Sequence, residues 1–242
     1  MAEGIREKIP VPASRRLNWH VSMLFWVLAW LASLPPYGFP ALSAFAFVFP
    51  LCALEKARKR DVVLWTPLWT ALFELATVWW IIPTIHRFGG IPLAVSAFLV
   101  VLLCAYLGLF AYAFFLVLKF FTERHGAEGI CFAPFAWVIF EWLKGRLFGG
   151  FSWWGPGYGA SMYGNLLQNA HLFGVLGLSF LFVMTATAFA LLMRRRKNIT
   201  TLVYSLTTLL ILAAAFIHGA FYKKGDLTLF PPFRVGLVQP QI

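Results

Sequence analysis

Three charged side chains at the end of an apolar run are the first residues of this sequence that could do chemistry. Glu141, Lys144 and Arg146 follow the apolar stretch that begins at Trp137, and a loop rich in Gly, Trp, Phe and Tyr then extends to Gly164. On a helix, residues three apart share a face, so Glu141 and Lys144 can form an ion pair. Lysine and arginine can also hold a phosphate through charge-assisted hydrogen bonds. Two interpretations stay open: an ion pair that fixes the loop, and a direct contact with a lipid or substrate head group.

Other candidate residues lie on either side of this cluster. Glu74 falls near the middle of an apolar run, where an acid must be protonated, paired or directed into a polar cavity. A helix-to-helix hydrogen bond and a proton or substrate path both suit it. His86 and Arg87 lie in a predicted loop and suit either a plain surface or a binding role. Trp153 and Tyr158 suit either an interfacial aromatic belt or a docking surface for lipid and an outer domain.

The usual signatures of catalysis and metal binding are missing from the sequence. Cys52, Cys104 and Cys131 lie in apolar runs without metal-ligand spacing, and buried cysteine usually acts as a small inert hydrophobe. No His, Asp or Glu stands at ligand spacing from His86. Gly-rich phosphate loops and serine elbows do not occur either. We therefore predict no metal and no cofactor, and the residues alone reveal no catalytic set.

Composition identifies the solvent that surrounds these residues. Of the 242 residues, 61% are hydrophobic and 12% are charged, and the mean hydropathy is +0.78. A soluble domain has about a quarter of its residues charged. The sequence therefore predicts an all-α polytopic membrane protein embedded in a lipid bilayer. The net charge of +11 does not indicate nucleic acid, because basic residues collect in the cytoplasmic loops of membrane proteins.

The apolar runs predict about seven transmembrane helices within residues 17–221, after a basic cytoplasmic tail at 1–16. They lie at about 17–34, 39–54, 62–82, 91–121, 130–148, 172–193 and 199–221. The first run also resembles a signal peptide, with Ala29 and Ala32 at a suitable cleavage spacing. Trp26 and Trp30 instead favour a retained helix that is anchored at the membrane interface.

Charge distribution predicts the orientation of these helices. With the N-terminus in the cytoplasm, 14 of the 20 basic residues lie on the inner side and 6 on the outer side. This bias places the C-terminus in the periplasm. There, residues 222–232 form a polar, Pro-rich link and 233–239 (FRVGLVQ) predict a β-strand. Because one strand is not stable alone, 222–242 is interpreted as a linker and the first strand of a larger domain.

Two motifs resemble those of bacterial apolipoprotein N-acyltransferases. Residues 79–92 (WWIIPTIHRFGGIP) resemble the family's Trp-rich helix end and Phe-Gly-Gly loop. Residues 141–158 resemble its Glu-aromatic-Leu-Arg helix, which leads to Gly-Phe-Pro-Trp and Gly-Tyr. Here Lys144 replaces the usual Arg, losing its bidentate fork, and Ser152 replaces the usual Pro. The resemblance covers essentially the whole chain, and 235–240 is similar to the first strand of the family's nitrilase-like (αββα) domain.

The resemblance implies a two-step acyl transfer in the bacterial inner membrane. A cysteine of the nitrilase-like domain's Glu–Lys–Cys triad attacks a phospholipid acyl ester and forms a thioester. The diacylglyceryl cysteine of an apolipoprotein then accepts the acyl chain. The triad positions, and an eighth span, would follow the strand at which this sequence stops. We therefore expect the chain to be inactive alone, with no catalytic residue of its own.

The resemblance also gives the candidate residues a different role from catalysis. Beneath such a domain, the aromatic loop and the polar residues near it would position lipid or the domain itself. These candidates are Glu141, Lys144, Arg146, Trp153, Tyr158, His86 and Arg87. Two other functions stay open, a non-catalytic scaffold whose terminal strand pairs with a separate protein and a small transporter that depends on Glu74.

Overall fold

The computed structural model describes residues 18–34, 38, 39, 41–195, 198–222 and 236, and the described residues form helices and 3₁₀ turns without any strand. The predicted tail at 1–16 and the predicted strand at 233–239 lie outside this part, apart from Gly236. The α-helices are α1 Trp19–Ser33, α2 Ala41–Phe45, α3 Val48–Leu54, α4 Lys59–Val78, α5 Ile81–Gly89, α6 Leu93–His125, α7 Ala133–Lys144, α8 Gly164–Leu167, α9 Ala170–Arg195 and α10 Ile199–Tyr222. The 3₁₀ turns are Gly126–Phe132, Leu147–Gly149 and Pro156–Met162.

The all-helical, apolar character predicted from the sequence is confirmed. Within the part of the chain that the structure describes, four helical stretches are long and apolar enough to cross a bilayer, where the sequence predicted about seven. They are Lys59–Val78, Leu93–Lys144, Ala170–Arg194 and Ile199–Tyr222. Two shorter apolar stretches, Trp19–Ser33 and Ala41–Leu54, precede them.

The 52-residue stretch Leu93–Lys144 is a hairpin rather than one rod. The rings of Phe121 and Phe132 stack at 4.5 Å beside the turn. Further along, Phe114 meets Trp137 at 5.1 Å. At the far end, the Tyr106 hydroxyl donates to the Leu147 carbonyl at 3.2 Å. From the turn outwards, the residue number of the partner on α6 falls as that of the partner on or after α7 rises. The helix α7 therefore runs antiparallel to α6.

Two segments differ from the sequence prediction for the same physical reason. Residues 83–90, predicted as a loop, mostly belong to α5, and the second apolar run is divided between α2 and α3. Pro83 and Pro50 are each the third residue of a helix, where the missing N–H has no intrahelical partner to lose. The prolines therefore begin helices here instead of breaking them.

A cluster of aromatic rings forms the centre of the bundle. Trp26 and Trp30 are 0% and 2% exposed, so their predicted role as interface anchors is wrong. Trp26 packs on Phe73 of α4 at 5.0 Å, and Trp30 on Trp137 of α7 at 5.4 Å. Trp137 also meets Phe47, the residue just before α3, at 4.7 Å. These tilted and edge-on pairs hold α1, α3, α4 and α7 together and fix where α7 ends.

At the end of the bundle opposite the aromatic loop, basic residues cluster. We call this region the basic end, and it comprises residues 54–61, 119–128 and 194. The Lys119 ammonium donates to the carbonyls of Leu54, Glu55 and Ala57 at 3.2, 3.3 and 2.7 Å. It also lies 3.9 Å from the Glu123 carboxylate. Lys119 thus caps the end of α3, whose last carbonyls lack helical partners.

We expect Lys119→Met to lower the free energy of unfolding by about 2–3 kcal/mol, because it leaves the carbonyls at the end of α3 without a charged donor. Lys59→Met is the matched control, since Lys59 lies 3.9 Å from the same Glu123 but is exposed, and it should cost about 0.5 kcal/mol or less. Reversible unfolding in mixed micelles measures both. Equal losses for the two variants would contradict the capping role.

Candidate functional site

The candidate site is a pocket of about 200 Å³ where the chain leaves α7 and turns back on itself. α7 ends at Lys144, and the amide of Phe151 returns to donate to the Lys144 carbonyl at 2.9 Å. We call this cavity the outer pocket. It is lined by Glu141, Trp142, Lys144, Gly145, Arg146, Ser152, Trp154, Tyr158, Val175 and Leu176. Four of the seven candidates that the sequence singled out for positioning therefore meet in one cavity.

Glu141 forms the inner wall of the outer pocket and is held from two sides. Trp137, one turn earlier on α7, donates its indole N–H to Glu141 Oε2 at 2.8 Å. Ser179 of α9 donates its hydroxyl to Oε1 at 3.1 Å. The Ser179 oxygen in turn accepts from the Gly157 amide at 3.0 Å. The carboxylate therefore joins α7, α9 and the loop.

Lys144 pairs with Glu74 of α4, at 3.5 Å, and not with Glu141 as its spacing predicted. It also donates to the carbonyls of Trp153 and Trp154, both at 3.4 Å. Glu74 and Lys144 are only 4% and 7% exposed. A cavity of about 20 Å³ adjoins them and Glu141, which is enough for about one water molecule. Lys144 is thus committed to fixing the loop, and the deep acid Glu74 is paired.

Aromatic rings continue from Trp80, the residue just before α5, along the rim of the outer pocket. Trp80 meets Trp153 at 5.3 Å, Trp153 meets Trp154 at 6.2 Å, and Trp154 meets Tyr158 at 6.0 Å. The Tyr158 hydroxyl donates to the Ser152 carbonyl at 3.2 Å. These tilted and edge-on contacts give the outer pocket a continuous aromatic rim.

Arg146 is the exposed cation of this wall. Its guanidinium carbon lies 5.4 Å from the centre of the Trp142 ring, within the range of a cation–π contact. This contact leaves the planar N–H groups available to an anion in the pocket. Of the two basic residues predicted to hold a phosphate, the geometry favours Arg146.

His86 and Arg87 do not line the outer pocket. They lie exposed in the last turn of α5, where basic side chains interact favourably with the helix dipole. Nδ1 of His86 is 2.7 Å from the Ile91 carbonyl, a contact within the turn that follows α5. His86 and Arg87 therefore lie apart from the candidates that line the outer pocket.

The outer pocket suits binding rather than covalent chemistry. Its volume is below the 300–1,000 Å³ or so of a drug-sized ligand site and fits a small polar head group. None of its lining residues is a cysteine, and Cys52, Cys104 and Cys131 lie in the apolar helical part of the chain. Among the described residues, no cluster of three His, Cys, Asp or Glu could hold a metal ion. The arrangement can hold an anion beside aromatic rings.

Two residues of this site escaped sequence reasoning. Ser179 is a lone hydroxyl in the apolar run of α9, and such serines usually bond only to their own helix. Gly155 is one of several loop glycines, yet a Cβ at this position would overlap Glu141 Oε1. No local spacing connects either residue to Glu141, so only the tertiary structure reveals the contacts.

Comparison with known proteins gives a consistent set of relatives. A family model described as the apolipoprotein N-acyltransferase N-terminal domain matches residues 27–188. The chain is 32% identical to the apolipoprotein N-acyltransferase of Pasteurella multocida over 153 residues, which are 63% of this chain and 28% of the relative. For the protein of the same description from Rhizobium rhizogenes, identity is 31% over 231 residues, covering 87% and 41%. For that of Rickettsia prowazekii it is 26% over 240 residues, covering 92% and 44%. The chain spans less than half the length of each of these relatives.

Proposed function

The chain belongs to the family of apolipoprotein N-acyltransferase N-terminal domains, and from this membership we propose that it is the membrane portion of such an enzyme. The reaction moves an acyl chain from a phospholipid to the diacylglyceryl cysteine of an apolipoprotein. The observation that carries the proposal is positional: every residue that lines the outer pocket lies within the matched residues 27–188.

The covalent steps belong, in this proposal, to the part of the relatives that the chain does not match. That part is more than half of each relative's length. Lining residues of the outer pocket include hydroxyls, a guanidinium and aromatic rings but no thiol. A nitrilase-like domain with a Glu–Lys–Cys triad would form the acyl thioester above this pocket. The membrane portion would then supply a shelf that positions the lipid and the domain.

The proposed orientation places the basic end in the cytoplasm and the outer pocket at the periplasmic face of the inner membrane. Seven passes of the chain are consistent with the α6–α7 hairpin and with the two shorter apolar stretches before α4. The contacts of Lys119, Glu123 and Arg194 with residues 54–59 gather the cationic segments at one end. Such segregation of positive charge favours the cytoplasmic assignment.

Within the outer pocket, we assign the head-group contact to Arg146, next to Tyr158 and the aromatic rim. Glu141 and Lys144 act behind it as positioning residues, since each is bonded to other parts of the protein. Trp153 supports the rim through its contacts with Trp80 and Trp154. His86 and Arg87 are left for contact with the domain above.

The test joins the chain to the unmatched C-terminal part of the Rickettsia prowazekii relative and expresses it in cells depleted of their own N-acyltransferase. We expect the chimera to restore N-acylation of lipoproteins, measured by mass spectrometry of their N-terminal peptides. The 242-residue chain alone, incubated with phospholipid, should form no acyl thioester. An acyl thioester on the chain alone would contradict the proposal that the covalent steps belong to the C-terminal part of the enzyme. If chimeras made with the C-terminal part of each of the three relatives fold but stay inactive, the proposed function is overturned.

Arg146→Ala in the active chimera is expected to slow acyl transfer by about ten- to a hundredfold, because a charged hydrogen bond contributes roughly 1.5–3 kcal/mol. Arg124→Ala is the matched control: Arg124 is an exposed arginine at the basic end, outside the outer pocket, with a cation–π contact of its own on Phe120, and its loss should change the rate less than about twofold. The measurement is the initial rate of lipoprotein acylation in proteoliposomes. Equal rates for the Arg146 variant and the parent would remove Arg146 from the head-group site.

A further inference from the structure

A continuous apolar groove runs along the surface between α7, α9 and α10. It consists of two adjoining cavities of about 610 and 690 Å³ that share Phe180 of α9 and Ile211 of α10. Most of the lining residues are aliphatic or aromatic, and the second cavity also includes Cys131, Thr200 and Thr207. α10 forms one wall, and little of this helix is buried in the protein. The groove therefore faces the surrounding lipid along much of its length.

The end of the groove nearest the outer pocket is polar. Asn169 and His218 line it there, and the Asn169 Oδ1 lies 3.1 Å from the His218 Nδ1. The His171 ring stacks on Tyr222 at 4.3 Å and on His218 at 5.5 Å. Asn169 is anchored to α10 because its amide donates to the Ala215 carbonyl at 2.8 Å. One end thus offers the rings of His218 and His171, whereas Asn169 is buried with its amide bonded to backbone carbonyls, and the rest of the groove is mainly apolar.

The groove and the outer pocket adjoin each other at Leu176, whose side chain lines both. Just before it, α9 is interrupted at Gly174, where φ is 64° and ψ is −173°. This interruption leaves Phe173 71% exposed at the mouth of the groove. A molecule in the groove therefore has one apolar side chain between it and the residues around Arg146.

From this geometry we propose that the groove binds an acyl chain of a phospholipid whose head group lies at the polar end. The proposal rests on the proposed function, since it names the place from which the acyl donor reaches the outer pocket. An amphiphile matches the groove along its whole length: its tail meets the aliphatic and aromatic wall, and its ester and phosphate lie beside His218 and the exposed His171 that stacks on it. The junction at Leu176 then brings the ester region to the wall of the outer pocket.

Photolabelling of the 242-residue chain tests this binding. The chain is placed in nanodiscs that contain phosphatidylethanolamine with a diazirine in its acyl chain as a minor component, and labelled residues are mapped by mass spectrometry. Labelling of Phe180 and Ile211 should saturate as the probe fraction rises, as expected for a site. Labelling of Leu102 of α6, an exposed residue outside the groove, should rise in proportion to the probe.

Two neighbouring alanines of α10 provide a matched pair of variants. Ala214 lines the groove, whereas Ala213 is also exposed but is not among its described lining residues. Ala214→Trp should fill the groove and lower labelling of Phe180 on the order of tenfold, and Ala213→Trp should leave it unchanged. The saturation measurement uses the unaltered chain, so it decides the proposal even where the Ala214 variant does not fold.

Three results would overturn the proposal. One is labelling of Phe180 that never saturates, which indicates bulk lipid alone. The second is equal labelling in both tryptophan variants. The third is a disulfide between two chains that carry Ala214→Cys, which would show that a second copy fills the groove. None of these measurements involves acyl transfer. An inactive chimera would therefore contradict the proposed function without changing the labelling result.

Discussion

Replacing Lys144 with methionine is expected to lower the free energy of unfolding by about 3–5 kcal/mol, because Glu74 is then left buried without its partner. The two charges are 3.5 Å apart and almost fully inaccessible to solvent. The same substitution removes the donor to the carbonyls of Trp153 and Trp154. The loop should therefore loosen together with the contact between α4 and α7.

The double variant Glu74→Gln with Lys144→Met separates the charge from the loss of packing. It should recover more than half of the penalty, since removing both members of a buried pair is often close to neutral. Arg146→Met is a control because Arg146 is exposed, and it should cost about 0.5 kcal/mol or less. Equilibrium unfolding in mixed micelles gives all three values. A single variant as stable as the parent would mean that the pair contributes nothing.

Gly155→Ala is expected to cost about 2–4 kcal/mol, although it adds one methyl group to a loop. A Cβ at this position would overlap Glu141 Oε1 and lie 2.8 Å from its Cδ. The carboxylate can move only by giving up the bonds from Trp137 and Ser179. Each buried donor left without an acceptor costs about 1–3 kcal/mol.

A double-mutant cycle with Glu141→Ala tests this cause. In that background the obstructing atoms are absent, so the added penalty of Gly155→Ala should fall below about 0.5 kcal/mol. Gly89→Ala is the control glycine, because its added Cβ would meet its nearest neighbours at an ordinary 3.8 Å. The same unfolding assay applies. If the Gly155 penalty persists in the Glu141→Ala background, the loop and not the carboxylate is responsible.

The sequence predicted the features that composition and local patterns determine. The all-helical apolar character follows from runs of residue types. The bounds of α7 do not, because the sequence predicted a span at about 130–148 and the helix is Ala133–Lys144. The partner of Lys144 was predicted wrongly, since three-residue spacing pointed to Glu141 and the ion pair is formed with Glu74, 70 positions away in the sequence. No periodicity encodes which helices become neighbours, and this one contact decides the electrostatics of the site.

The tryptophans show a second limit of sequence patterns. Trp26 and Trp30 were interpreted as interface anchors because tryptophan is common at bilayer interfaces. They pack instead against Phe73 and Trp137 in the centre of the bundle. The local sequence around a tryptophan in an apolar run is the same whether the ring lies at the bilayer interface or in the centre of a bundle. Only the neighbouring helices distinguish the two cases.

The pair of Glu74 and Lys144 also has a consequence for the biogenesis of this protein. Glu74 is synthesised first, and α4 must enter the bilayer before the ribosome has made α7. A lone charged residue costs about 2.5–3.5 kcal/mol to insert at the centre of a membrane helix, and Glu74 lies about one turn from the end of α4, where the cost is smaller but still opposes insertion. We therefore expect α4 to remain with the insertion machinery until α7 emerges and neutralises it, so that the two helices are released into lipid together.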